Sequence, residues 1–117
     1  MFDLISISEA IKQSYASKGL LVDVRSEEAF KKGHLPMAVN IPFEDILKEK
    51  IDIEKDFNVE KEQPVFVYCD TGSTSMLAAR KLDSMGIHAY NIVGGIMFYK
   101  GYLEKEKNDL WTMVRTS

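Results

Sequence analysis

Short runs rich in apolar residues, Leu20 to Val24, Ala38 to Ile41, Val65 to Tyr68 and Ile87 to Val93, alternate along the chain with stretches of helical spacing. Runs of four to seven such residues read as buried strands. Between them, Ser6 followed by Glu9 is a capping-box pair and predicts a helix from about Ile7 to Lys18, ended by Gly19. Ser26 caps a short helix that runs through Lys32 and is closed by Gly33. Phe43, Ile46 and Leu47 give a third helix one apolar face, and Met76 to Met85, with Gly86 behind it, predicts a fourth. A further helical pattern begins near Ile96, after the paired Gly94 and Gly95. Strands separated by helices imply right-handed crossovers and a parallel sheet, with helices covering both faces. The class is therefore α/β, without repeat, low-complexity tract or linker.

In such sheets ligands bind outside the carboxyl ends of the strands, and Cys69, Asp23 and Gly94 all fall at those ends. Cys69 is the single cysteine of the chain. It follows the strand opened by Pro64 and precedes a loop of small residues, Asp70-Thr-Gly-Ser-Thr-Ser75, that leads into a helix. Free cysteines are usually small buried hydrophobes. Here, however, the free N–H groups and dipole of a helix N-terminus stabilise a thiolate or a bound anion. Gly72 gives the loop conformational freedom, while Thr71, Ser73, Thr74 and Ser75 add hydroxyls and little bulk. The backbone of residues 70 to 75 is the candidate anion cradle.

Composition narrows the function classes. At 117 residues the chain has room for one core, and 45% hydrophobic with 28% charged residues is ordinary for a globular domain. Lysines and arginines are interleaved with acids at a net charge of -3, so no basic stripe for nucleic acid is present. No apolar run approaches a membrane span, and the start lacks the pattern of a secretory signal, which makes a cytoplasmic location the expectation. One cysteine and two distant histidines provide no metal-ligand spacing and no internal disulfide.

Five segments together carry a family resemblance: Leu21-Val-Asp-Val-Arg25, Gly33-His-Leu-Pro36, Asn40-Ile-Pro42, Tyr68-Cys-Asp-Thr-Gly72 and Val93-Gly-Gly95. In this order and spacing the chain resembles the rhodanese-like sulfurtransferase domain over roughly residues 3 to 103. The expected layout is a domain over 1–103 and a C-terminal extension over 104–117. The resemblance implies a parallel sheet flanked by helices, and sulfur transfer through a persulfide on Cys69. The donor would be thiosulfate, 3-mercaptopyruvate or another persulfide, and the acceptor a thiol or cyanide. A sulfur-donating protein is a possible partner, and no cofactor is implied. A related phosphatase class uses a similar loop with arginine six positions after the cysteine, but that position is Ser75, and Arg80 falls mid-helix on its solvated face. The alternative from another class is a non-catalytic module, or a sulfur carrier working only with a protein partner.

The loop departs from many single-domain members, which have arginine at the position of Thr74 and a basic or small residue at Asp70. Its threonine version is similar to that of mercaptopyruvate and thiosulfate sulfurtransferases. Asp70 is either a solvated side chain turned from the pocket or a selector of donor charge, since a close carboxylate opposes a thiolate and repels an anion. Asp23 and Arg25 share one face of a strand end and read as an ion pair supporting the site. His34 reads as structural, His88 as a partly exposed edge residue, and Tyr99 takes the place of a family tryptophan. In the tail, Asn108-Asp109 with Leu110, Trp111 and Val114 predicts a short amphipathic helix, packed on the domain or on a partner.

Overall fold

The computed structural model of the protein describes residues 2–60 and 62–105, so the predicted tail helix lies outside the described residues. Five strands and five helices follow in the order β1 (Asp3–Ile5), α1 (Ile7–Tyr15), β2 (Leu20–Asp23), α2 (Glu27–Lys32), β3 (Val39–Asn40), α3 (Phe43–Leu47), α4 (Ile53–Asp56), β4 (Val65–Tyr68), α5 (Ser73–Ser84) and β5 (Ala89–Ile92). All pairings are parallel, in the sheet order β1-β5-β4-β2-β3. The Cys69 strand is thus central, with Asp23 beside Tyr68 in the β2–β4 register.

Alternation along the strands divides the core. Val22, Val65 and Val67 pack with Ile46, Ile53, Ala78, Ala79 and Leu82 from α3, α4 and α5. Leu21, Phe66, Tyr68 and Ile92 pack on the other side with Ala10 and Phe30 from α1 and α2. Successive strand residues face opposite ways, so both faces of β4 are covered and its four residues are buried. The predicted α/β class with helices on both faces is what is observed.

Local chemistry explains most boundaries. The Ser6 hydroxyl accepts from the Glu9 N–H, and the Ser26 hydroxyl from the Ala29 N–H, as capping residues do. Helix α1 ends at Tyr15 rather than near Lys18, and Ser17 is left-handed at φ 58°. Helix α5 begins at Ser73, three residues before the predicted Met76, because left-handed Gly72 (φ 104°) turns the chain directly into it. Strand β1 and helix α4 were not predicted. The predicted helix near Ile96 is absent from the described residues: Ile96 and Met97 instead donate their N–H groups to the carbonyls of Cys69 and Asp70, both at 2.9 Å. Those tertiary hydrogen bonds fasten this turn to the cysteine loop, and the chain closes only a single tight turn there, with the Tyr99 N–H donating to the Ile96 carbonyl at 3.0 Å. His34 and Glu104 exchange backbone hydrogen bonds at 2.9 Å, which holds the chain at residue 104 against the connection between α2 and β3.

Candidate active site

Cys69 lies one residue beyond β4, and its side chain meets the N-terminal end of α5. Its sulfur accepts the Gly72 N–H at 3.1 Å and the Ser75 N–H at 3.3 Å, and lies 3.4 Å from the Ser75 hydroxyl. The first N–H groups of a helix have no partner within it, so the start of α5 directs unpaired donors at this point. Burial pushes the Cys69 thiol up, but the Ser75 hydroxyl and the N–H groups of Ser75, Gly72 and Thr71 together pull it below the ordinary cysteine value. A cysteine that lines a cleft with hydrogen-bond donors aimed at its sulfur is the candidate nucleophile of the site.

That cleft, of about 550 Å³, is lined by Val24, Arg25, Ser26, Ala29, Cys69, Asp70, Thr71, Ser73, Thr74 and Met97. Of the predicted loop residues, Asp70, Thr71, Ser73 and Thr74 line it, while Gly72 and Ser75 contact the sulfur from within. Ser75 is fully buried. Its hydroxyl therefore faces the thiol and Asn91 rather than an incoming substrate.

The predicted Asp23–Arg25 pair is present and anchors the opposite wall. Arg25 grips the carboxylate through Nε, 3.1 Å from each oxygen, and through Nη2 at 2.7 Å, and Nη2 also donates to the Gly33 carbonyl at 2.6 Å. Burial works against the guanidinium charge, but the hydrogen bonds and charge of Asp23 outweigh it and hold Arg25 more firmly protonated than usual. Asn40 adds hydrogen bonds from its side-chain amide to the carbonyls of Asp23 and Arg25, both at 3.0 Å. Asp70 is 66% exposed, with Oδ1 3.7 Å from Arg25 Nη1. Its carboxylate is thus solvated at the rim, yet leans toward the only cation lining the cleft among the described residues.

Two glycines let the neighbouring turn approach. A methyl group on Gly95 (φ 63°) would come within 2.5 Å of both the Cys69 and the Asp70 carbonyl oxygens. No side chain fits there. Gly72 lies against the same turn, and Asn91 of β5 clamps its carbonyl through Nδ2 at 3.2 Å.

Asn91 was missed by the sequence reading; its only signal is an amide in a buried strand between Tyr90 and Ile92. His34 is buried, stacked on Phe30 at 3.8 Å with Nδ1 bonded to the Phe30 carbonyl, and does not line the cleft. His88 is partly exposed just before β5 and lies 3.7 Å from Asp3. Arg80 is exposed on α5, and does not line the cleft either. No cluster of His, Cys, Asp and Glu among the described residues could hold a metal ion, and no helix there is long and apolar enough to cross a membrane.

A central parallel sheet that delivers a cysteine to the start of a helix defines an α/β domain with a cysteine loop at the carboxyl end of its sheet, and the comparisons with known proteins specify which. Residues 6–101 match the rhodanese-like domain, and the chain belongs to that family. It is 34% identical over 94 residues to the tRNA sulfurtransferase of Desulfurococcus amylolyticus, a match covering 80% of this chain and 17% of that protein. To the adenylyltransferase and sulfurtransferase MOCS3 of Culex quinquefasciatus it is 37% identical over 119 residues, covering 89% of this chain and 27% of the relative. The chain therefore spans well under a third of these curated relatives. A rhodanese-like domain protein from Staphylococcus aureus superposes with a TM-score of 0.70 at 26% identity, over 92% of this chain and all of that one.

Proposed function

We propose that the protein is a sulfurtransferase that carries sulfane sulfur as a persulfide on Cys69. The observation that supports this most directly is the sulfur itself, receiving two backbone N–H groups at the start of α5 beneath an open cleft. The thiolate attacks the outer sulfur of the donor, the donor's sulfur–sulfur bond breaks, and its electron pair leaves with the rest of the donor. With a persulfide donor a thiolate leaves; with thiosulfate, sulfite leaves. The negative charge then resides on the outer sulfur, within reach of N–H groups at the start of α5, until an acceptor thiol or cyanide takes that sulfur. The loop, the helix end and the cleft supply orientation and charge stabilisation.

Charge favours one donor class over another. Asp23 and Asp70 outnumber the single guanidinium of Arg25, which is already committed to Asp23. A dianion such as thiosulfate gains little at this mouth, whereas a persulfide on a protein or small thiol brings less charge. The relatives named as sulfurtransferases fit the same reading. Intact mass after incubation with a persulfide donor should show a cyanide-labile gain of one sulfur, absent from Cys69→Ser with the fold retained. No gain from a persulfide, thiosulfate or 3-mercaptopyruvate would instead favour a non-catalytic binding module, and a gain in Cys69→Ser would move the chemistry off this residue.

A further inference from the structure

The Ser75 hydroxyl has one proton and two claimants. On one side lies the Cys69 sulfur at 3.4 Å, and on the other the Asn91 side-chain oxygen at 2.5 Å. The orientation of the Asn91 amide follows from its network: Nδ2 donates to the Gly72 carbonyl at 3.2 Å, and the flipped amide would set two oxygens against each other there. The amide oxygen facing Ser75 can only accept, so the hydroxyl proton points to Asn91. Its lone pairs then face the sulfur, an arrangement that suits a neutral thiol donating S–H to Ser75. A thiolate needs the reverse, with the hydroxyl turned to sulfur and the Asn91 oxygen abandoned. Ser75 is fully buried and Asn91 is 3% exposed, so water does not fill the vacated place.

We infer that Asn91 is a positioning residue that competes with the Cys69 thiolate for the Ser75 proton, and so holds back ionisation of the resting thiol. The hydroxyl's share in lowering the thiol pKa is realised only when this competition is lost. Under the sulfur-transfer reading, on which this consequence rests, the competition also favours loading. Once the sulfur of Cys69 is bonded to a sulfane sulfur, the charge has moved outward and the hydroxyl can return to Asn91.

The charged groups around the thiol are common to all variants that test this. They are Asp70 next to it in sequence and Arg25 with its partner Asp23 at the end of β2, while the first turn of α5 carries no acid and the acids of the first turn of α2, Glu27 and Glu28, do not line the cleft. Because Cys69 is the only cysteine, the pH profile of its alkylation by iodoacetamide reads this one thiol without any sulfur donor, whatever the protein's activity. Asn91 also clamps Gly72, so its effect must be read as a difference. The midpoint shift caused by Asn91→Leu in the wild type, minus the shift it causes in the Ser75→Ala background, should be about one unit downward. A difference of zero or an upward one overturns the inference and leaves Asn91 as a clamp on the loop alone. Ser75→Ala by itself keeps the test open if Asn91→Leu does not fold. With Asn91 holding the proton, its midpoint should move by much less than one unit, and a rise of one unit or more overturns the inference.

Discussion

Gly94 and Gly95 provide a matched pair of substitutions. Both have positive φ, 79° and 63°, so alanine carries a comparable left-handed penalty at each, about 1 kcal/mol, partly offset by the reduced freedom of the unfolded chain. They differ in surroundings. The methyl group of Gly94→Ala meets nothing within 4 Å, whereas that of Gly95→Ala meets the Cys69 and Asp70 carbonyl oxygens at 2.5 Å. Ordinary contact begins at 3.4 Å, so the turn and the cysteine loop must separate by about 0.9 Å, the difference between the two distances. Overpacking of this kind costs about 1 to 3 kcal/mol, and it strains the hydrogen bonds from Ile96 and Met97 to those same carbonyls. Gly95→Ala should therefore melt roughly 10 °C below Gly94→Ala, at about 4 to 8 °C per kcal/mol for a domain of this size. A displaced nucleophile should also slow sulfur loading, by up to about 100-fold for a shift near 1 Å. Thermal unfolding by circular dichroism and single-turnover loading followed by mass measure both. Equal melting temperatures and equal rates for the two variants would refute the claim that this turn holds the cysteine loop in place.

Arg25→Met leaves the carboxylate of Asp23, fully buried, without its partner and should cost about 3 to 5 kcal/mol in urea unfolding, with Arg25→Lys recovering only part; a loss under about 1 kcal/mol contradicts the anchoring role. Asp70→Asn removes an exposed charge already leaning on Arg25, so loading by an anionic donor should rise only about threefold at low salt and converge with wild type at high salt. An unchanged rate at every ionic strength would mean that Asp70 does not influence the donor. The thiolate is the attacking form, so alkylation of wild-type Cys69 should rise with pH and level off, with its midpoint below that of the same thiol in the urea-unfolded chain; a midpoint at or above that of the unfolded chain contradicts the cradle.

What the sequence made legible was local. Ser6 with Glu9, Ser26 and Gly33 lie beside the helix ends they define, and the cysteine loop is contiguous from residue 69 to 75. Asp23 and Arg25 are two residues apart at a strand end, close enough for alternation alone to put them on one face. Long-range partners decided the rest. Strand β1 is three residues long with little pattern, and exists because Asp3, Leu4 and Ile5 pair with Tyr90, Asn91 and Ile92. Ile96, Tyr99 and Leu103 have helical spacing, but residues 96 and 97 are tied to the distant carbonyls of Cys69 and Asp70 and the chain makes only a single turn from Ile96 to Tyr99. Asn91 meets Ser75 and Gly72 across 16 and 19 positions, a relation that no local pattern encodes.

The pairing of β1 with β5 imposes an order in time. As the chain is synthesised, β1 emerges early but finds its partner only once residues 90–92 have followed. The nascent cysteine emerges well before Asn91, Gly95 and Met97, the residues that brace its loop. A nascent chain that has emerged from the ribosome only as far as residues 75 to 90 would therefore display the thiol with its loop sequence complete but its supports missing. Reactivity is thus acquired late, with the closing of the sheet, and the newborn thiol is without its full cradle until that step.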